Sequence, residues 1–142
     1  MRHLTMKLSA AVLPFLVASV SPAAAAAAGV DTLVNANVMK DAAFRAAYVQ
    51  ALGPLKREAW LIDMDGPGTQ RLETVAGSRY LLVTTCKDHD CGANNMVVLY
   101  ATAPPALYGE VWRGGRLTAI GNPPPRVALE LKKIWNTEWP GH

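Results

Sequence analysis

Hydrophobic and polar side chains alternate through the middle of the chain in a pattern typical of short β-strands. Residues 79–86, for example, form a β-branched and aromatic run that is long enough for a buried strand. The predicted strands cover residues 70–75, 79–86, 96–102, 107–112 and 116–120. Each connection between them is too short for a crossover helix, so neighbouring strands must run antiparallel. The pattern therefore predicts a five-stranded antiparallel meander.

Two other stretches, one before and one after the strands, have apolar residues at helical spacing. The first covers residues 41–52 and ends at Gly53-Pro54, and the second covers residues 125–135 or a little more. Their apolar stripes consist of Phe44, Ala47, Tyr48, Ala51 and Leu52 in the first helix and of Val127, Leu131, Ile134 and Trp135 in the second. Residues 55–64 fit either a short helix or a strand, and residues 30–39 have no clear period. Helices that flank an antiparallel meander predict an α+β fold.

The amino terminus has the three parts of a secretory signal peptide. Arg2, His3 and Lys7 are basic, residues 8–20 are apolar, and residues 22–28 are small enough for several Ala-x-Ala cleavage frames. The apolar run is short for a membrane anchor. The cleavage region has no cysteine to carry a lipid, which argues against a lipoprotein. The sequence therefore predicts a signal peptide over residues 1–28 and a single exported domain over residues 29–142.

Removal of the predicted signal peptide lowers the net charge of the protein from +3 to +1. The full chain has 14 Lys and Arg against 11 Asp and Glu, and the loss of Arg2 and Lys7 leaves 12 basic residues against the same 11. A net charge of +1 does not indicate a nucleic-acid partner. The four tryptophans are scattered over different predicted elements, so core packing is a better interpretation of them than a carbohydrate platform.

The only two cysteines enclose a charged segment at the predicted tip between the second and third strands. We call residues 86–91 the cysteine loop; it consists of Cys86, Lys87, Asp88, His89, Asp90 and Cys91. The four inner side chains gain nothing from core burial, so the segment needs another reason to be there. Two cysteines in an exported protein favour a disulfide over free thiols.

Chemical uses of the cysteine loop are incomplete in the sequence. Cys86, His89 and Cys91 supply three zinc ligands, whereas structural zinc requires four. Four intervening residues do not match the Cys-x-x-Cys spacing of disulfide oxidoreductases. His89 has neither an evident nucleophile nor an orienting partner, as a hydrolase would require. The sequence therefore predicts no catalytic residue, no metal ligand and no cofactor, with a small metal or redox protein kept as one alternative.

Two further interpretations of the cysteine loop stay open on the residues alone. A disulfide across so short a ring stabilises the fold by on the order of 2 kcal/mol, so it can be a plain structural clip. It can equally hold a recognition loop in its bound shape, which lowers the entropy lost on docking.

The cysteine loop, followed by Gly92 and a strand, resembles the Cys-Lys-Pro-His-Asp-Cys loop of the Ivy family. These proteins are inhibitors of vertebrate lysozyme found in the periplasm of Gram-negative bacteria. The resemblance covers about residues 79–100. It implies a five-stranded antiparallel sheet between helices in α/β/α layers, a periplasmic location and no enzymatic activity.

The resemblance also implies a partner and a role for each loop residue. The loop would enter the active-site cleft of a c-type lysozyme, where His89 would hydrogen-bond the catalytic carboxylates. Cys86 and Cys91 would hold the loop by a disulfide. Lys87 and Asp90 match the flanking positions of the family loop.

One loop position departs from the family pattern, because Asp88 stands where the family has proline. The loss of proline widens the unbound ensemble of the loop. An alternative interpretation is a periplasmic binding protein that keeps the Ivy fold but regulates an endogenous murein-cleaving enzyme, such as a lytic transglycosylase. Neither interpretation includes a nucleic acid, or a membrane after signal cleavage.

Overall fold

The computed structural model describes residues 29–142, so the predicted signal peptide lies outside the described residues. The strands are β1 (Gly68–Val75), β2 (Ser78–Cys86), β3 (Asn94–Thr102), β4 (Pro105–Arg113) and β5 (Arg116–Ile120). They form one sheet in the order β1-β2-β3-β4-β5, and every neighbouring pair is antiparallel. The predicted meander is confirmed, and both the first and the last residue of every strand lie within two positions of the prediction.

Helices precede and follow the sheet. They are α1 (Val30–Leu33), α2 (Ala42–Leu52), α3 (Ala59–Asp63) and α4 (Pro125–Glu138), with single 3₁₀ turns at Val38–Lys40 and Gly53–Arg57. The side chain of Asp41 caps α2, because its Oδ1 accepts a hydrogen bond from the amide of Phe44 at 2.8 Å. The ambiguous residues 55–64 are helical, and α4 continues three residues beyond its predicted end.

The sheet has a hydrophobic core on each face. Side chains alternate between the two faces along a strand, so β2 contributes Leu81 and Val83 to one core and Tyr80 and Leu82 to the other. Helices α1, α2 and α3 cover the first face, and α4 covers the second. The α+β class and the α/β/α layers implied by the resemblance are therefore confirmed.

The tryptophans belong to these cores, as predicted. Trp60 and Trp135 are buried, and Trp112 and Trp139 are partly buried against the core beneath α4. Among the described residues, no helix has the length and apolar character needed to cross a membrane.

The cysteine loop leaves the sheet between its two most buried strands. β2 and β3 are paired up to Cys86 and Asn95, and the chain between these two residues extends beyond the ladder. Nearly every residue of both strands is buried. The base of the loop is therefore continuous with the rigid centre of the sheet.

Candidate functional site

A disulfide closes the cysteine loop. The sulfur atoms of Cys86 and Cys91 are 1.99 Å apart and their Cα atoms are 4.8 Å apart. Neither sulfur is then available as a thiolate ligand or as a reactive thiol. Within residues 29–142, no three His, Cys, Asp or Glu side chains are grouped as metal ligands. The geometry favours a closed loop over a zinc or redox centre.

Two turns shape the loop, one inside the disulfide ring and one that leads from it into β3. The amide of Asp90 donates to the carbonyl of Lys87 at 2.9 Å, and the amide of Asn94 donates to the carbonyl of Asp90 at 3.0 Å. The amide of Lys87 in turn donates to the carbonyl of Asn94 at 2.9 Å. The carboxylate of Asp90 also accepts a hydrogen bond from Asn94 Nδ2 at 2.7 Å. Asp90 therefore organises the inside of the loop and is only half-buried while doing so.

The remaining polar side chains of the loop point into solvent. The side chain of His89 is 93% exposed, and Lys87 and Asp88 are also exposed. His89 Nε2 lies 3.3 Å from Asp88 Oδ2, a contact that contributes little to stability at such exposure. The imidazole is thus presented to solvent at the tip of the loop.

The outgoing limb of the loop rests on a segment that the sequence identified only as a turn. Thr85 Oγ1 donates to the carbonyl of Gly66 at 3.3 Å. A Cβ atom added to Gly66 would lie 1.6 Å from the carbonyl oxygen of Cys86 and 3.2 Å from the amide nitrogen of Asp88. The sequence signal was the pair of glycines around Pro67, which is typical of a close backbone approach as well as of a turn.

The returning limb is held by a side chain that sequence reasoning missed. Asn95 is fully buried, and its Nδ2 donates to the carbonyl of Cys91 at 2.8 Å. The signal was a strongly polar residue at the start of an otherwise apolar strand. Such a residue needs a hydrogen-bond partner when it is buried.

One surface depression lies beside the cysteine loop, and a larger one lies far from it. A depression of about 370 Å³ beside the loop is lined by Glu58, Ala59, Trp60, Asp65, Lys87 and Asp88. A larger one, about 630 Å³, lies at the other end of the sheet between α2 and the start of β4. The larger cavity is therefore distant from His89, which projects from the surface.

Comparisons with known proteins show the family of the chain. Residues 43–139, more than half of the chain, match the family described as inhibitor of vertebrate lysozyme (Ivy). The inhibitor of vertebrate lysozyme of Pseudomonas aeruginosa is 35% identical over 51 residues, which are 35% of this chain and 33% of that protein. The match thus spans about a third of the length of this curated relative. The extent of the family match establishes that the chain belongs to the Ivy family.

Proposed function

We propose that this protein is a periplasmic inhibitor of c-type lysozyme that inserts the cysteine loop into the active-site cleft of the enzyme. The observation that carries the proposal is the exposed His89, presented by a disulfide-closed turn in a chain of the Ivy family. The signal-peptide pattern of residues 1–28 supports the periplasmic location.

The imidazole of His89 suits the chemistry of such a cleft. A retaining glycosidase holds two carboxyl groups, one protonated as the general acid and one ionised. A neutral imidazole donates from one ring nitrogen and accepts at the other, so it can hydrogen-bond both groups at once. The loop then blocks the substrate and excludes water from the cleft, and no covalent bond is made or broken.

Preorganisation of the loop supports tight binding. The disulfide and the bonds of Asp90 to Lys87 and Asn94 restrict the free loop to a narrow set of shapes. A loop already close to its bound shape loses less conformational entropy on docking.

Replacement of His89 by alanine tests the role of the imidazole. The inhibition constant of the oxidised mature protein in a lysozyme turbidity assay should rise by more than about tenfold in His89→Ala, as for loss of an interface hot spot. Reduction with dithiothreitol should also weaken inhibition, because the open loop loses its shape.

Arg126→Ala provides a matched surface control. Arg126 is exposed beside Ala76 and Gly77, at the hairpin end of the sheet opposite the cysteine loop. This variant should inhibit like the wild type. Equal inhibition by His89→Ala and the wild type would remove His89 from the proposed role.

A lytic transglycosylase should be assayed in parallel, because Asp88 replaces the family proline and adds a second carboxylate to the loop. A protein that inhibits only the transglycosylase, and not lysozyme, would refute lysozyme as the target. It would support regulation of endogenous murein cleavage by the same loop.

A further inference from the structure

The amide of Asn95 joins the cysteine loop to helix α4. Its Nδ2 donates to the carbonyl of Cys91 at 2.8 Å, and its Oδ1 accepts a hydrogen bond from the indole Nε1 of Trp135 at 2.8 Å. Asn95 is completely buried, and Trp135 is 4% exposed. Both bonds are therefore shielded from competition by water.

The two partners of Asn95 demand opposite hydrogen-bonding roles. An indole N–H can only donate, and a backbone carbonyl can only accept. A primary amide satisfies both at once and in one orientation only, because turning it over would set donor against donor and acceptor against acceptor. The indole of Trp135 thus fixes which end of the Asn95 amide faces Cys91.

Trp135 is itself held firmly. Its ring centroid lies 5.5 Å from that of Trp112 on β4 and 5.6 Å from that of His142, and the Nδ2 of Asn95 lies 3.5 Å from His142 Nε2. Aromatic rings packed at these distances restrict each other's rotamers. Two consecutive hydrogen bonds therefore connect α4 to the loop, the first from Trp135 to Asn95 and the second from Asn95 to Cys91.

We infer that Asn95 is a positioning residue for the cysteine loop. Its buried amide, oriented by Trp135 of α4, holds the Cys91 carbonyl and sets the direction in which the returning limb leaves the sheet. The disulfide closes the ring, and Asn95 anchors the ring to the fold. The consequence for inhibition rests on the proposed function, whereas the consequence for the order of the free loop does not.

Hydrogen exchange of the free oxidised protein tests this inference directly. The amide of Asp90 donates to Lys87 inside the loop, and the amide of Asn94, at the start of β3, donates to Asp90 of the loop, so both report its order. In Asn95→Ala they should exchange about tenfold faster or more, the factor for one lost buried hydrogen bond with an unpaired carbonyl left behind. Trp135→Phe, which keeps one aromatic ring but removes the indole donor together with the second ring, should show a smaller acceleration at the same amides.

Trp139→Phe is the matched control. Trp139 follows α4 and donates from its Nε1 to the carbonyl of Met96 at 3.3 Å, so the change deletes the same kind of bond to the neighbouring residue of β3. This bond does not involve the loop. Asp90 and Asn94 should exchange at the wild-type rate in this variant.

Amide exchange and lysozyme inhibition, measured on the same proteins, distinguish failure of the positioning role from failure of the proposed function. Equal acceleration at core amides of β3 in all three variants would mean a merely structural role and would overturn the inference. Unchanged loop exchange in both Asn95→Ala and Trp135→Phe would overturn it as well. If the wild type fails to inhibit lysozyme while the loop amides respond as expected, the proposed function fails and the positioning role stands.

Discussion

His89 occupies the left-handed region of backbone conformation, with φ at 60°. This conformation costs a non-glycine residue on the order of 1 kcal/mol. It is required here because His89 is the third residue of the turn that the Asp90 amide closes onto Lys87. A turn with positive φ at its third residue favours proline at the second, which is where Asp88 stands.

Substitution of Asp88 by proline should therefore tighten inhibition. The amide of Asp88 makes no hydrogen bond to another group in the described part of the chain, so proline removes no bond. The ring restricts φ and should stabilise the bound shape by about 0.4–1 kcal/mol, a two- to fivefold lower inhibition constant. The turbidity assay measures this change.

Asp88→Ala separates the ring from the charge. It removes the carboxylate without restricting φ, so it should not reproduce the gain if backbone restriction is the cause. An improvement of the same size in both variants would assign the effect to the negative charge instead.

At the scale of elements, the cysteine loop is a hairpin tip clamped between two neighbours. The segment before β1 supports its outgoing limb through Gly66, and β3 supports its returning limb through Asn95. The loop thus depends on Gly66, which is distant in sequence, as well as on Asn95, which follows Cys91 by four residues.

Gly66→Ala should disturb the loop and destabilise the fold. The added Cβ would meet the backbone carbonyl of Cys86, which cannot rotate away as a flexible side chain would. We expect a loss of about 1–3 kcal/mol in unfolding free energy, as for other overpacked sites, together with weaker inhibition. Chemical denaturation and the turbidity assay measure the two effects.

Gly92→Ala is the control for this prediction. Gly92 lies next to Cys91 in the chain, but a Cβ atom there would meet nothing within 4 Å. This variant should unfold like the wild type. A comparable loss of unfolding free energy in both variants would rule out close packing of Gly66 against Cys86 as the cause.

At the scale of the whole molecule, the sheet buries one carboxylic acid that the site does not use. Glu110 on β4 is 5% exposed, and this burial raises its pKa, while the nearby Lys132 of α4 acts in the opposite direction. The folded protein therefore holds a proton at Glu110 more tightly than the unfolded chain does. Its stability should fall as the pH rises from the ordinary value of 4.5 through the raised pKa.

Glu110→Gln should remove this pH dependence. The variant should be more stable than the wild type at neutral pH, and the difference should vanish below the ordinary glutamate value, where both chains are uncharged at this position. Denaturation midpoints measured from pH 4 to pH 8 test the prediction. Glu130→Gln, at an accessible glutamate paired with Lys133, should keep the wild-type profile. A Glu110→Gln profile identical to that of the wild type would contradict a raised pKa of Glu110.

Local patterns in the sequence were sufficient for the elements and their order. The meander, α2, α4 and the position of the cysteine loop all follow from period, turn residues and short connections. Residues 55–64 could not be assigned in this way, because Trp60 and Leu61 are buried by tertiary contacts and a short buried apolar run has no period of its own.

The sequence by itself determined the strand order and the resemblance of the cysteine loop to the Ivy loop. These properties are local, since they depend on residues a few positions apart. Only the tertiary structure decided how the loop is held, because Gly66 approaches Cys86, and Trp135 orients Asn95, from distant parts of the chain. Hydrogen bonds between such partners leave no periodic signal in the sequence, because they form only after folding has brought the donor and the acceptor together.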